Sequence, residues 1–134
     1  MTAPGSGERP CVLVVDDEEL LTFVLSEALK DAGFDVECLN GGLEAWNRLE
    51  TGTAPAALVL DLFMPGLSGV EILRRMRQDP RLLWVPVVIL TGAAESTVRD
   101  LPPGSYQALF PKPFDLNAVV GAVRTFTDPN LAAE

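Results

Sequence analysis

A chain of 134 residues, 48% apolar and 22% charged, is long enough to bury a core as one domain and too apolar to remain disordered. Its formal net charge of -9 argues against a surface built for a polyanion, and so against direct contact with nucleic acid. No run approaches the roughly 18 to 20 apolar residues that span a bilayer, and the opening MTAPGSGERP lacks a signal-peptide core, so a cytoplasmic protein without membrane contact is expected.

Residues 1–9 are rich in Gly, Pro and Ser and read as a mobile arm, 10–127 as one domain, and 128–134 as a C-terminal tail. Cys11 to Asp16 is apolar without alternation, the signature of a strand buried on both faces. Leu21, Val24, Leu25, Ala28 and Leu29 then recur at helical spacing up to Gly33, a natural helix C-terminal glycine. Asp35 to Leu39 reads as a second strand and Leu43 to Glu50 as a short helix closed by Gly52. Ala56 to Leu62 is a third strand, followed by the loop MPGLSG and a helical stripe of Gly69, Ile72, Leu73 and Met76 that ends before Pro80.

Val85 to Leu90 forms a fourth strand. Between Gly92 and Gln107 only a short helix near Ala94 is expected, since Pro102, Pro103 and Gly104 interrupt it. Ala108 to Phe110 is a brief fifth strand; Pro111 lacks a ladder donor and suits an edge or a strand end. Leu116, Val119, Val120 and Val123 mark the last helix. Cys11 and Cys38 lie within the strand runs without metal-ligand spacing and read as reduced core thiols.

Strands alternating with helices predict an α/β fold, a doubly wound parallel sheet with right-handed crossovers, whose functional crevice lies beyond the carboxyl ends of the strands. Asp16 and Asp17 end the first strand, Asp61 the third and Thr91 the fourth, while Lys112 follows the fifth. Three carboxylates within about 5 Å would repel one another by a few kcal/mol per pair, and a divalent cation would relieve that. Oxygen-only ligands with room for water and phosphate suit Mg²⁺. Lys112 offers a point charge and Thr91 a hydroxyl to a phosphoryl group, and Asp61 could act as a nucleophile. Taken singly, either Asp16 or Asp17 could be a helix N-cap, Thr91 a strand former and Lys112 a solvated charge; their joint placement favours the chemistry.

In VLVVDDEE, LVLDLFMPGLSGVE, VPVVILTG and FPKPF the chain resembles the receiver domains of two-component response regulators, from Cys11 to about Phe126. The resemblance implies a flavodoxin-like (βα)5 domain with strand order 2-1-3-4-5, and Asp61 as phosphoacceptor. Asp17, Asp61 and the main-chain carbonyl of Phe63 would bind Mg²⁺ directly, with Asp16 acting largely through water. Lys112 and Thr91 would contact the phosphoryl group, and the Lys112–Pro113 bond would be cis. The donor would be a sensor histidine kinase or a histidine phosphotransfer protein of a phosphorelay, and the output a downstream protein target. Such a domain catalyses its own phosphorylation and hydrolysis but turns over no independent substrate.

Two departures from the family pattern stand out, Leu109 and a shortened fourth-helix stretch that contains Pro102 and Pro103. Leu109 replaces the usual aromatic three residues before the lysine, with Tyr106 and Phe110 out of register and expected only to pack; conformational change is therefore expected to centre on Thr91 to Ser96. Phe63 and Ala93 stand where polar side chains could orient a hydrolytic water, which predicts a long-lived phosphoaspartate. Two other functions fit the same fold. A flavin or nucleotide binder would need Gly, Ser and Thr after the first strand where this chain has Asp16, Asp17, Glu18 and Glu19, and a receiver-like interaction module that is never phosphorylated would not need the acidic set.

Overall fold

The structure, a computed structural model, describes residues 9–92 and 98–128. In chain order it contains β1 (Cys11–Val15), α1 (Glu19–Asp31), β2 (Asp35–Leu39), α2 (Gly42–Thr51), β3 (Ala57–Asp61), α3 (Gly69–Met76), β4 (Val87–Thr91), β5 (Ala108–Pro111) and α4 (Leu116–Thr127). The strands form one parallel sheet in the order β2-β1-β3-β4-β5. Four helices are thus named among the described residues. The short helix expected near Ala94 falls largely on 93–97, outside them, and only 98–99 are described as helical.

Alternation along the buried strands divides the core between two faces. Leu13, Leu58, Leu60 and Ile89 pack with α2 and α3 residues such as Leu49, Ile72 and Met76. Val14, Val59, Val88 and Leu90 pack with Leu25 and Leu29 of α1 and Val119 and Val123 of α4. Each fully buried side chain of this size contributes about 1.5–3 kcal/mol of transfer free energy, so packing on both faces fixes the sheet that carries the strand ends. Cys11 and Cys38 are free and half-buried, and they pack against opposite faces.

Local signals hold each turn. At the end of α1, Phe34 donates its backbone N–H to Leu29 (3.1 Å) and Gly33 donates to Lys30 (3.1 Å), with Gly33 at φ 107° in the left-handed region glycine favours. Ser68 caps α3 by accepting the Glu71 N–H at 3.2 Å, and Asp115 caps α4 by accepting that of Asn117 at 2.9 Å. β5 lies at the sheet edge and ends on Pro111, as its missing donor requires.

The fourth strand begins later than expected, at Val87 rather than Val85. Val85 spends its N–H on Leu82 at 3.0 Å and its carbonyl on Arg77 at 3.0 Å, and Pro86 has no N–H to give. Arg77 also donates to the carbonyls of Leu83 (2.9 Å) and Ser105 (2.8 Å), tying the approach to β4 to the approach to β5.

Candidate functional site: an acidic cluster at the carboxyl edge

Strand register brings the sequence-selected residues together. Val15 pairs with Leu60 and Asp61 with Leu90, so Asp16 and Asp61 leave neighbouring strands at the same level; Thr91 pairs with Pro111, which puts Lys112 at that edge too. Carboxylate oxygens of Asp16, Asp17 and Asp61 lie within 4.8 Å of one another. Asp16, Asp61 and Thr91 are buried, whereas Asp17 is exposed.

Lys112 reaches into this cluster with Nζ 2.8 Å from Asp16 Oδ2, 3.1 Å from Glu18 Oε1 and 3.5 Å from Asp61 Oδ2. Its backbone N–H donates to the carbonyl of Thr91 at 2.8 Å, and the Lys112–Pro113 peptide is cis, as expected. Phe63 donates its backbone N–H to Asp61 Oδ1 at 3.2 Å, while its ring stands half-exposed. The Phe63 carbonyl therefore belongs to the peptide chain immediately beside the cluster.

The loop after β3 is held by a close approach. Gly69 opens α3 so near the strand that a Cβ there would lie 2.1 Å from the Asp61 carbonyl oxygen, and its N–H donates to the Leu62 carbonyl at 2.9 Å. Only glycine lets α3 begin there without displacing Asp61.

Burial is the largest influence on Asp61 and raises its pKa above the usual carboxylate value; the Phe63 N–H and Lys112 oppose the rise, and Asp16 and Asp17 add to it. Burial alone would lower the pKa of Lys112. Its hydrogen bonds to Asp16 and Glu18, with the charges of Asp61 and Asp16, more than reverse that, so it is raised and Lys112 stays an ammonium ion.

Neither Asp16 nor Asp17 is a helix N-cap. Glu18 holds that position of α1 and makes no side-chain cap, while Asp16 Oδ1 accepts the Glu18 N–H at 2.9 Å in a tight turn. Two supporting residues escape the sequence patterns. Glu18 contacts Lys112, and Asn40, just after β2, donates to the Asp16 carbonyl (2.8 Å) and to Thr22 Oγ1 (3.2 Å). Leu109 is half-buried and packs with Tyr106 against one face of the core, and Phe110 packs on the other, so both aromatics are packing residues. Ala93 and Ser96 lie outside the described residues.

An all-oxygen set of three carboxylates, one of them open to water, fits a hard divalent ion such as Mg²⁺. The profile of the response regulator receiver domain matches residues 12–124. The chain belongs to the response regulator receiver domain family. It is 37% identical over 117 residues to the phosphate regulon transcriptional regulatory protein PhoB of Rhizobium meliloti, a match covering 86% of this chain and 51% of PhoB. The chain thus spans about half the length of PhoB and of several other curated relatives it matches, and about a quarter of others. The response regulator TrrA of Thermotoga maritima, solved in complex with Mg²⁺–BeF, superposes with a TM-score of 0.76 at 26% identity, covering 87% of this receiver domain and 98% of TrrA. A CheY-like receiver domain of Methanospirillum hungatei gives 0.81 at 19% identity, covering 95% and 100%, and shows the shared fold.

Proposed function

We propose that this receiver domain, residues 10–127, is a phosphoacceptor switch in which Asp61 takes a phosphoryl group from a phosphohistidine. The observation that carries this is the position of Asp61: buried at a strand end, with Lys112 Nζ 3.5 Å away and two further carboxylates within 4.8 Å. Such a carboxylate is kept from freely solvating its charge and is flanked by the cation a transferring phosphoryl group needs.

An Asp61 carboxylate oxygen attacks phosphorus as the phosphorus–nitrogen bond of the donor breaks and the electron pair returns to the imidazole. Asp16, Asp17, Asp61 and the Phe63 carbonyl would hold Mg²⁺, which would supply positive charge to neutralise the transferring group. Lys112 balances the negative charge left on phosphoaspartate, and the Thr91 hydroxyl is drawn toward it, which biases the loop that follows β4. That TrrA, a similar structure, was solved in complex with Mg²⁺–BeF supports reading the acidic cluster here as a metal site.

The donor is a sensor histidine kinase or a histidine phosphotransfer protein, and the output is a downstream protein. Leu20 and Phe23 expose apolar surface on α1, beside an open cleft of about 490 Å³ lined by Lys112, Pro113 and Phe114, and offer the donor a contact face. Net charge of -9 supports protein partners over direct nucleic-acid contact, and no helix among the described residues is long and apolar enough to cross a membrane, in keeping with work in the cytoplasm.

Incubation with acetyl phosphate and Mg²⁺, followed by intact mass, tests the proposal. One added phosphoryl group is expected, absent with a chelator and absent in Asp61→Asn. A gain that survives Asp61→Asn would overturn the assignment.

A further inference from the structure

Lys112 has three ammonium hydrogens and three carboxylates around it, and they are not shared equally. Its short bonds go to Asp16 (2.8 Å) and Glu18 (3.1 Å), while Asp61 stands at 3.5 Å. Glu18 sits at the N-cap position of α1, where a short polar side chain would normally turn back onto the helix, yet its carboxylate makes no cap and crosses to Lys112 instead. Its main chain is fixed for that reach by the 2.9 Å bond from its N–H to Asp16.

We propose that Glu18 is a positioning residue for Lys112: its carboxylate holds the ammonium on the α1 side of the acidic cluster, and Lys112 reaches a phosphoryl group on Asp61 by giving up that bond. This rests on Asp61 being the acceptor. Of the two short bonds, the one to Glu18 is the easier to exchange, because the Glu18 side chain is 63% exposed whereas that of Asp16 is wholly buried. A carboxylate left behind by Lys112 at Glu18 is solvated at once; one left behind at Asp16 would be a buried unpaired charge. An ordinary surface ion pair would have both partners in solvent, but the Lys112 side chain is only 20% exposed and both its neighbours on the other side are buried. Glu18 therefore sets how readily the cation crosses, and with it the rate at which Asp61 captures the anion.

The test uses the full chain with Glu18→Gln, which removes the charge, and Glu18→Asp, which keeps the charge but is one methylene too short for the contact. In metal-free protein, the ¹⁵N signal of the Lys112 ammonium is expected to move in both variants. With acetyl phosphate at saturating Mg²⁺, both are expected to phosphorylate about fivefold faster than the parent, the change to be expected from losing one partly exposed ion pair. An unmoved ammonium signal in Glu18→Gln overturns the proposal, as does a moved signal with an unchanged rate. Glu18→Asp behaving as the parent also overturns it, since charge at a distance would then suffice. A parent that accepts no phosphoryl group would instead refute Asp61 as acceptor, and the ammonium signal alone would still decide whether Glu18 holds Lys112.

Discussion

Replacing Asp61 by Asn should stabilise the metal-free protein at neutral pH. At an effective dielectric near 20, the attraction between Asp61 and Lys112 at 3.5 Å is about 5 kcal/mol, and each repulsion from Asp16 and Asp17 within 4.8 Å is about 3.5 kcal/mol. Burial is the largest cost of the charge and raises the pKa of Asp61, and the two repulsions, which together exceed the attraction, add to it. Solvent around the exposed Asp17 weakens its share. The net gain on neutralising residue 61 is therefore expected at about 1–2 kcal/mol, or roughly 3–6 °C in Tm for a domain of this size. Asn at this position can still accept the Phe63 N–H, and Lys112 keeps Asp16 and Glu18, so no buried group loses its partner.

The pH dependence follows in sign. A carboxylate whose folded pKa is raised contributes stability that is fully present below its unfolded value, here 3.8, and lost as pH rises through the folded value. The advantage of Asp61→Asn should accordingly be greatest near pH 7 and shrink toward pH 4. Urea or thermal melts of both proteins in chelator across that range measure it. An Asp61→Asn protein no more stable than the parent at pH 7, or an advantage that grows in acid, would refute the electrostatic account of the site.

Other substitutions probe the same edge. Mg²⁺ should raise the Tm of the parent, and Asp17→Asn should lose most of that rise in a titration followed by thermal melting. Gly69→Ala should destabilise by at least about 2 kcal/mol in urea and slow phosphorylation by acetyl phosphate, since its Cβ would lie 2.1 Å from the Asp61 carbonyl oxygen. Phe63→Asn should speed loss of the phosphoryl group severalfold, and together with Ala93→Glu about tenfold, equivalent to roughly 1.4 kcal/mol in the barrier, as followed by intact mass over time. A phosphoaspartate equally long-lived in the double variant would show that water exclusion by Phe63 is not what sets its lifetime.

Asp16, Asp61, Thr91 and Lys112 are visible in the sequence because each ends or follows an apolar run, and a parallel sheet must bring such ends to one edge. Gly33 and Pro111 are equally plain, since each carries a backbone constraint of its own. What stays hidden depends on contacts across the chain. Val85 and Pro86 continue an apolar run yet lie outside β4 because Arg77, eight residues before Val85, takes the Val85 carbonyl. Asn40 supports Asp16 from 24 residues away, and Glu18 pairs with Lys112 from 94 away, with no periodicity to announce either. Asp16, which local preference would allow as a cap, instead accepts the Glu18 N–H and pairs with Lys112 across the sheet edge.

Asp61 as the phosphoacceptor is tested most directly by trapping. Acetyl phosphate and Mg²⁺ treatment followed by borohydride reduction converts an aspartyl phosphate to homoserine, which peptide mass spectrometry then places in the chain. Homoserine at position 61, lost when Mg²⁺ is chelated, is the expected result; homoserine at 16 or 17, or at no position, would contradict it.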